Sequence, residues 1–273
     1  MDNLTFADDI QSEPINIPRA ALRLAKEIAY PDLDVATELE RLDELAESAR
    51  AFISFYQTTI EQAESLGDFL FVQERFQGNA QDYTDPRNSY LNEVLQRRLG
   101  IPISLSVIYI ALAERLGIPA QGIGLPGHFV VGIPVLEDMY FIDPFHGGNR
   151  LAIEDCAQLV QQSTGYTGPL QRDWLQPLPA GAILTRMLNN LHNVYFQRED
   201  WVLAQSAVER LRLLQPDMPD LLRDLGLIYQ HQGAHRKAIH FYEGYLTKAP
   251  IAPDARAVRL QLEEVVKNLA KLN

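Results

Sequence analysis

Residues 101–113 are almost entirely apolar, and only Ser104 and Ser106 interrupt them with strongly polar side chains. An amphipathic surface helix keeps one polar face, so this segment predicts a helix that is covered on every side. Pro102 suits the first helical position, where a missing N–H costs nothing, and Gly117 suits the left-handed position after the last turn. The pattern therefore predicts a central buried helix with both ends marked.

Apolar positions spaced by three and four residues predict further helices around this segment. The spacing indicates a short helix at 17–29, two or three helices at 35–74, and helices at 89–99 and 153–162. The first dozen residues are rich in Asp, Asn, Ser and Glu, and we expect them to pack loosely.

Three segments after the central helix have the apolar, β-branched composition of strands. They span 119–125, 128–135 and 139–142, with Pro126-Gly127 as a turn between the first two. Short connections favour an antiparallel sheet on which the central helix packs. The predicted fold class is therefore α+β, with a central buried helix on a small antiparallel sheet and a helical N-terminal portion.

The C-terminal third contains an internal repeat. Leu225, Tyr229, Ala238 and Pro250 lie 34 residues after Leu191, Tyr195, Ala204 and Pro216. This period and these residue types resemble the tetratricopeptide repeat, with units at 185–218 and 219–252 and a capping helix at 253–272. The stretch 163–182 holds three Pro and three Gly and predicts a domain boundary. An all-α repeat region is thus expected to follow the α+β core.

Charge and cysteine content narrow the classes of function. The 273 residues carry a formal net charge of −12, which argues against nucleic-acid and anionic-membrane partners. The start of the chain is acidic where a signal peptide would be basic and then apolar, and no apolar run is long enough to cross a membrane. We therefore expect a cytoplasmic protein. The single Cys156 excludes an internal disulfide.

A His and an Asp on neighbouring predicted strands are the candidate chemical groups. His128 begins one strand and Asp143 ends the next, so an antiparallel hairpin brings them to the same end of the sheet. A His base and an orienting carboxylate suit a thiol nucleophile at a helix N-terminus, but the central helix begins without a cysteine. His146 adds a possible metal ligand, yet the spacing typical of zinc ligands is missing, so we predict no metal and no cofactor.

Three short motifs, in the order in which they occur, resemble those of a known family. R-x-G-I-P-A occupies 115–120, G-H-F occupies 127–129 and I-D-P occupies 142–144. This order resembles the core of the transglutaminase-like superfamily, a papain-like fold with a Cys-His-Asp triad. The longer segment 78–131 resembles the SirB-type branch, whose members join such a core to C-terminal tetratricopeptide repeats.

The resemblance covers roughly 35–273 and implies His128 and Asp143 as the family His and Asp. The position of the family nucleophile falls on Pro102, or on Ser104 in a shifted alignment, and neither is Cys. The predicted domains are an N-terminal extension with a short helix at 1–34, the SirB-type domain at 35–162, a linker at 163–182 and the repeats at 183–273.

Two functions from different classes follow. In the first, the chain is a non-catalytic protein that binds a protein or peptide partner through its cleft or its repeats. The polar loop 76–88 then supplies candidate contacts, which are Asn79, Asp82 and Asn88. In the second, Ser104 acts as nucleophile with His128 as base and Asp143 as orienter, giving a hydrolase or acyl transferase.

The binding function is favoured. A serine hydroxyl gains much less from a helix dipole than a thiol does, and the sequence shows no G-x-S-x-G elbow. Purely structural roles also stay open. His128 would then be a core histidine, Asp143 would end a strand, and Ser104 would bond to nearby carbonyls. The polar loop would be a well-capped surface loop, and the repeats would only buttress the core.

Overall fold

The computed structural model of the protein describes residues 4–54 and 57–272. These residues form two compact units, which divide between Met187 and Leu188. The first unit is a mixed domain of helices and sheet, and the second consists of helices. Phe55 and Tyr56, two apolar positions of the predicted helical pattern, lie outside the described residues, as do 1–3 and 273.

Four helices open the first unit. They are α1 (Phe6–Ile10), α2 (Ile17–Ile28), α3 (Val35–Arg50) and α4 (Thr59–Asp68), and a π-helical turn at Phe69–Gln73 extends α4. The expected three-to-four spacing is seen in α3, whose buried residues are Val35, Leu42, Leu45, Ala46 and Ala49.

The expectation of a loosely packed N-terminus is wrong for the residues of α1. Phe6 is fully buried, and the buried Asp9 carboxylate lies 2.5 Å from Nε of Arg23 in α2. A buried charge is tolerated only when it is paired, so this ion pair fixes α1 against α2. No local pattern predicts this pair, because its two members are 14 residues apart in the chain.

The central helix lies among the other elements as its sequence predicts. β1 (Gln77–Gly78) pairs in parallel with β2 (Leu99–Gly100), and α5 (Leu91–Arg97) runs between them. The next helix, α6 (Pro102–Leu116), begins on its proline and ends at Gly117, whose φ of 74° is left-handed. Tyr109 of α6 is fully buried, and its hydroxyl donates to the Ala63 carbonyl at 2.6 Å.

A four-stranded antiparallel sheet covers α6. Its strands are β3 (Gln121–Ile123), β4 (Val130–Val135), β5 (Asp138–Asp143) and β6 (Asn149–Leu151), in the order β3-β4-β5-β6. The β4–β5 register places Val131 opposite Ile142 and Val135 opposite Asp138. Three of these strands were predicted. β6 was not predicted, because its three residues, Asn149, Arg150 and Leu151, lack the apolar, β-branched composition of the other strands.

The segment after the sheet belongs to the first unit. α7 (Ile153–Thr164) follows β6, and the chain then returns to the sheet, where Pro177 forms a bridge with Ile123. The Leu178 amide donates to the Gly122 carbonyl at 2.8 Å. Within the predicted linker 163–182, Pro177 and Leu178 thus lie along the edge strand β3, and the division between units falls later, within α8 (Ala180–Gln197).

The second unit begins within α8, and four further helices follow in the region of the predicted repeats. They are α9 (Trp201–Leu214), α10 (Asp220–His231), α11 (His235–Lys248) and α12 (Ala255–Leu272). The repeat positions Ala204 and Ala238 are fully buried, and Tyr195 and Tyr229 are nearly so. None of the described helices combines the length and the apolar composition that a membrane-spanning helix requires.

Candidate functional site

His128 and Asp143 meet at one end of the sheet. His128 lies just before β4 and Asp143 is the last residue of β5, and the antiparallel register brings them together. His128 Nε2 lies 3.0 Å from Asp143 Oδ2, and both side chains are buried. This bond orients the imidazole and leaves Nδ1 as the ring nitrogen that is available for other chemistry.

A second histidine shares the same carboxylate oxygen. His146 Nδ1 lies 2.6 Å from Asp143 Oδ2, and the rings of His146 and His128 stack with centroids 5.6 Å apart. The other oxygen, Oδ1, accepts the backbone N–H groups of Phe145 at 3.0 Å and His146 at 3.4 Å. Asp143 therefore has two roles. Its Oδ1 caps the short helical turn that follows β5, and its Oδ2 contacts both imidazole rings.

The Asp143 carboxylate is held in its charged form. Burial alone would raise its pKa, but hydrogen bonds and charge from His128 and then from His146 outweigh burial, so the pKa is lowered. Cys156 in α7 behaves in the opposite way. Burial, with the nearby charges of Asp155 and Asp143, raises the pKa of its thiol to about 12. Cys156 is thus a protonated core residue and a poor nucleophile.

Ser104 makes its hydrogen bonds within the first turn of α6 and to the polar loop. Its hydroxyl is fully buried, lies 2.6 Å from the Asn88 carbonyl and 3.1 Å from the Ile101 carbonyl, and accepts the Ile101 amide at 3.0 Å. Across the described residues, no hydrogen bond joins Ser104 to His128. The structure therefore brings His128 and Asp143 together but gives Ser104 other partners.

The polar loop is braced from inside by two of its predicted contact residues. Asn79 Nδ2 donates to Asn88 Oδ1 at 3.1 Å, and Asn79 Oδ1 accepts the Asp82 amide at 3.1 Å. Asn88 Nδ2 then donates to the Asp82 carbonyl at 2.7 Å. Asn79 and Asn88 are buried, whereas Asp82 and its neighbour Tyr83 are exposed. Contacts from this loop to another molecule are therefore open to Asp82 and Tyr83.

Aromatic rings join the loop to the histidines. The Phe145 ring lies 5.9 Å from the Tyr83 ring and 6.1 Å from the His128 ring, with edge-on geometry in both cases. Gly78 of β1 lies against Phe145, and a Cβ there would come within 2.6 Å of the ring. The sequence offered one weak signal for Phe145, its place directly after Asp143-Pro144.

Arg186 of α8 fixes the backbone at His128. Its Nη2 donates to the carbonyls of His128 and Leu125, each at 2.9 Å, and its guanidinium stands 5.5 Å from the Phe129 ring. Burial lowers the pKa of Arg186, and the nearby Tyr83 partly offsets this. Arg186 could not be predicted as a site residue, because it lies 58 residues after His128, in a segment predicted to belong to the first repeat.

A groove opens beside the histidines. It has a volume of about 560 Å³, and its lining includes Asp143, His146, Asn149, Arg150, Asp155 and Gln158. The His146 side chain is 51% exposed there, whereas Asp143 is fully buried. A second groove of about 540 Å³ lies elsewhere, between Pro14–Arg19 and α6, and contains neither histidine. Asp143 and His146 therefore face the first groove, and His146 is the exposed member of the cluster.

Comparison with known proteins agrees with this architecture. The sequence profile of the Transglutaminase-like superfamily matches residues 36–189, and a tetratricopeptide repeat profile matches residues 191–263. The chain therefore belongs to the transglutaminase-like superfamily. The predicted arrangement, an α+β core of this type followed by helical repeats, is confirmed.

Bacterial proteins named UPF0162 are similar over most of their length. The chain is 36% identical to one from Xylella fastidiosa, across 97% of this chain and 94% of that protein. It is 32% identical to one from Vibrio cholerae, across 71% of this chain and 72% of the relative. It is also 29% identical to human F-box only protein 21, across 62% of this chain but only 28% of that longer protein. The predicted SirB-type resemblance agrees with these bacterial relatives.

Proposed function

We propose that this protein is a protein-interaction module whose transglutaminase-like core performs no cysteine or serine acyl transfer. One observation carries the proposal: at the start of α6, the Ser104 hydroxyl forms its hydrogen bonds with backbone groups. A hydroxyl has one proton to donate, and Ser104 has carbonyl acceptors at 2.6 and 3.1 Å. A serine nucleophile would instead have to give this proton to His128.

Cys156 offers no substitute nucleophile. It is the only cysteine of the chain, and it packs in a buried cluster with Ile123, Val130 and Phe141. Its pKa of about 12 leaves almost no thiolate at neutral pH, and the thiolate is the reactive form. A lone thiol without a disulfide also suits a reducing compartment, so we propose a cytoplasmic protein.

The proposed partner is a protein or peptide. The tetratricopeptide match over 191–263 supports this, because stacked helical repeats present extended binding surfaces. On the core, the exposed Asp82 and Tyr83 supply polar and aromatic contacts on a braced loop, and rigid aromatic side chains favour binding because they lose little entropy. The net charge of −12 favours a basic partner surface.

The experiment has a catalytic arm and a binding arm. In the catalytic arm, the full chain and Ser104→Ala are incubated with an activated ester and with a glutamine-containing peptide plus an amine. We expect both proteins to give the same background rate. Turnover by the full chain that disappears in Ser104→Ala would overturn the proposal in favour of the Ser104-His128-Asp143 hydrolase or acyl transferase.

In the binding arm, proteins enriched on the full chain are purified and their Kd values are measured. We expect Tyr83→Ala or a variant of the repeat face to weaken a genuine partner by about tenfold or more, as loss of an anchoring contact does. The exposed Leu136→Ser, on the β4–β5 turn, serves as the matched control. Equal affinity for all variants would contradict the proposed surfaces.

A further inference from the structure

The two histidines and Asp143 form a cluster of metal-ligand type. His128 Nε2, Asp143 Oδ2 and His146 Nδ1 all lie within 4.8 Å of one another. Asp143 Oδ2 is the shared centre, at 3.0 Å from His128 and 2.6 Å from His146. Two imidazole nitrogens and one carboxylate oxygen are a donor set that binds divalent transition metals and leaves further coordination positions open.

The distances are close to those that a metal requires. Ligand atoms at about 2.0–2.2 Å from a tetrahedral ion lie about 3.3 Å from one another. The His128–Asp143 separation of 3.0 Å is about 0.3 Å shorter than this spacing, and the His146–Asp143 separation of 2.6 Å is about 0.7 Å shorter. The His146 nitrogen therefore has to move away from the carboxylate oxygen, and the two ring nitrogens, which lie within 4.8 Å of each other, have to reach the same spacing. His146 can supply that movement, because its side chain is half-exposed and stands on a single helical turn at Pro144–His146.

The surroundings fix the other two ligands. Asp143 Oδ1 accepts two backbone N–H groups, so Oδ2 is directed toward the histidines. Arg186 holds the His128 carbonyl, and Phe145 flanks the His128 ring. Such outer contacts are what orient the ligands of protein metal sites. The groove that contains His146 gives an ion and its water molecules a path to the cluster.

We propose that His128 Nε2, Asp143 Oδ2 and His146 Nδ1 bind one first-row divalent transition metal ion, with Zn²⁺ as the ion to test. On binding, each imidazole carries its proton on the other ring nitrogen and gives its lone pair to the ion. The hydrogen-bonded cluster and the metal-bound cluster are therefore two states of the same three residues. This site goes beyond the interaction role and does not depend on it.

The test is a titration of the metal-stripped, untagged full chain with ZnCl₂ against a competing chelator. We expect one Zn²⁺ per chain in the unaltered protein, and His146→Ala should weaken the affinity at least about tenfold because a direct ligand is lost. His240→Ala is the matched control, since His240 is an exposed histidine in the second unit. It should leave the affinity unchanged.

Co²⁺ provides a second readout that reports coordination directly. The unaltered protein and His240→Ala should give the visible absorption bands of a nitrogen- and oxygen-coordinated Co²⁺ ion, and His146→Ala should lose them. Circular dichroism of each variant checks that the fold is kept. Absence of stoichiometric binding to the unaltered chain, or equal binding by His146→Ala and His240→Ala, would overturn the proposal and leave a hydrogen-bonded cluster only.

Discussion

Ser104 Oγ lies 2.6 Å from the carbonyl oxygen of Asn88, and this bond ties the first turn of α6 to the polar loop. In a catalytic serine the hydroxyl would face its base, but here it faces the protein backbone. The same oxygen accepts the Ile101 amide at 3.0 Å, so it also caps the helix. Ser104 thus has a structural role at the place where the family resemblance puts a nucleophile.

Replacing Ser104 with Ala tests that structural role. The change removes the buried cap and leaves the Asn88 carbonyl without its donor, so we expect a loss of about 1–3 kcal/mol in the free energy of unfolding. Urea titration followed by circular dichroism measures this. Ser48→Ala is the control, because Ser48 is exposed and bonds only within α3. Its effect should stay within about 0.5 kcal/mol, and an equally small effect for Ser104→Ala would contradict the assigned role.

The loop brace predicts different outcomes for two neighbouring polar residues. Asn88→Ala removes the amide that bonds Asn79 and the Asp82 carbonyl, whereas Asp82→Ala keeps every bond of the brace because Asp82 contributes only backbone groups. We expect Asn88→Ala to cost about 2 kcal/mol or more and to speed amide hydrogen exchange over 79–88. Asp82→Ala should leave the exchange unchanged. Similar exchange in both variants would rule the brace out.

Arg186 is predicted to stabilise the backbone around His128. Arg186→Met removes both hydrogen bonds to the Leu125 and His128 carbonyls, and we expect a cost of about 1.5–3 kcal/mol, as for bonds to a charged group. The exposed Arg172→Met is the matched control and should change stability by less than about 0.5 kcal/mol. NMR shifts of the His128 ring should move in Arg186→Met alone. Unmoved shifts would mean that Arg186 does not position His128.

Asp85 is predicted to make stability depend on acid pH. Its buried carboxylate lies 2.7 Å from Arg87 and 3.2 Å from Arg97. Burial would raise its pKa, but hydrogen bonds and charge from Arg87, with the charge of Arg97, lower it below the unfolded value. A lowered folded pKa stabilises the protein above the unfolded pKa of about 3.9, and this is lost as pH falls through the folded pKa.

Urea titrations between pH 2 and pH 7 test this dependence. Asp85→Asn should lower stability near neutral pH and flatten the decline at acid pH, because the titrating group is gone. An unchanged slope in Asp85→Asn would show that other carboxylates cause the decline.

Much of the fold could be predicted because local signals mark it. Pro102 and Gly117 bound the central helix, and an apolar, β-branched composition marks β4 and β5, so the meeting of His128 with Asp143 follows from the hairpin. The Asp9–Arg23 pair and the bonds of Arg186 could not be predicted, since they join residues that are distant in sequence.

The direction in which a side chain points was the second feature that the sequence could not predict. The sequence placed Ser104 in the first turn of the central helix and allowed it either to face His128 or to bond to nearby carbonyls. In the structure Ser104 bonds to the Asn88 carbonyl, which favours the second alternative. This carbonyl belongs to a loop, and the path of a loop cannot be read from a periodic pattern of apolar residues. His146 had no zinc-type spacing in the sequence, and its closeness to Asp143 arises from the turn that ends β5.

The central claim is that no covalent acyl intermediate forms at the start of α6. Intact-protein mass spectrometry after incubation with an activated ester, followed by peptide mapping of 101–116, tests it most directly. We predict unmodified peptides from the unaltered chain, identical to those from Ser104→Ala. An acyl adduct on Ser104 that forms during turnover, and that disappears when His128 is replaced by Ala, would contradict the claim.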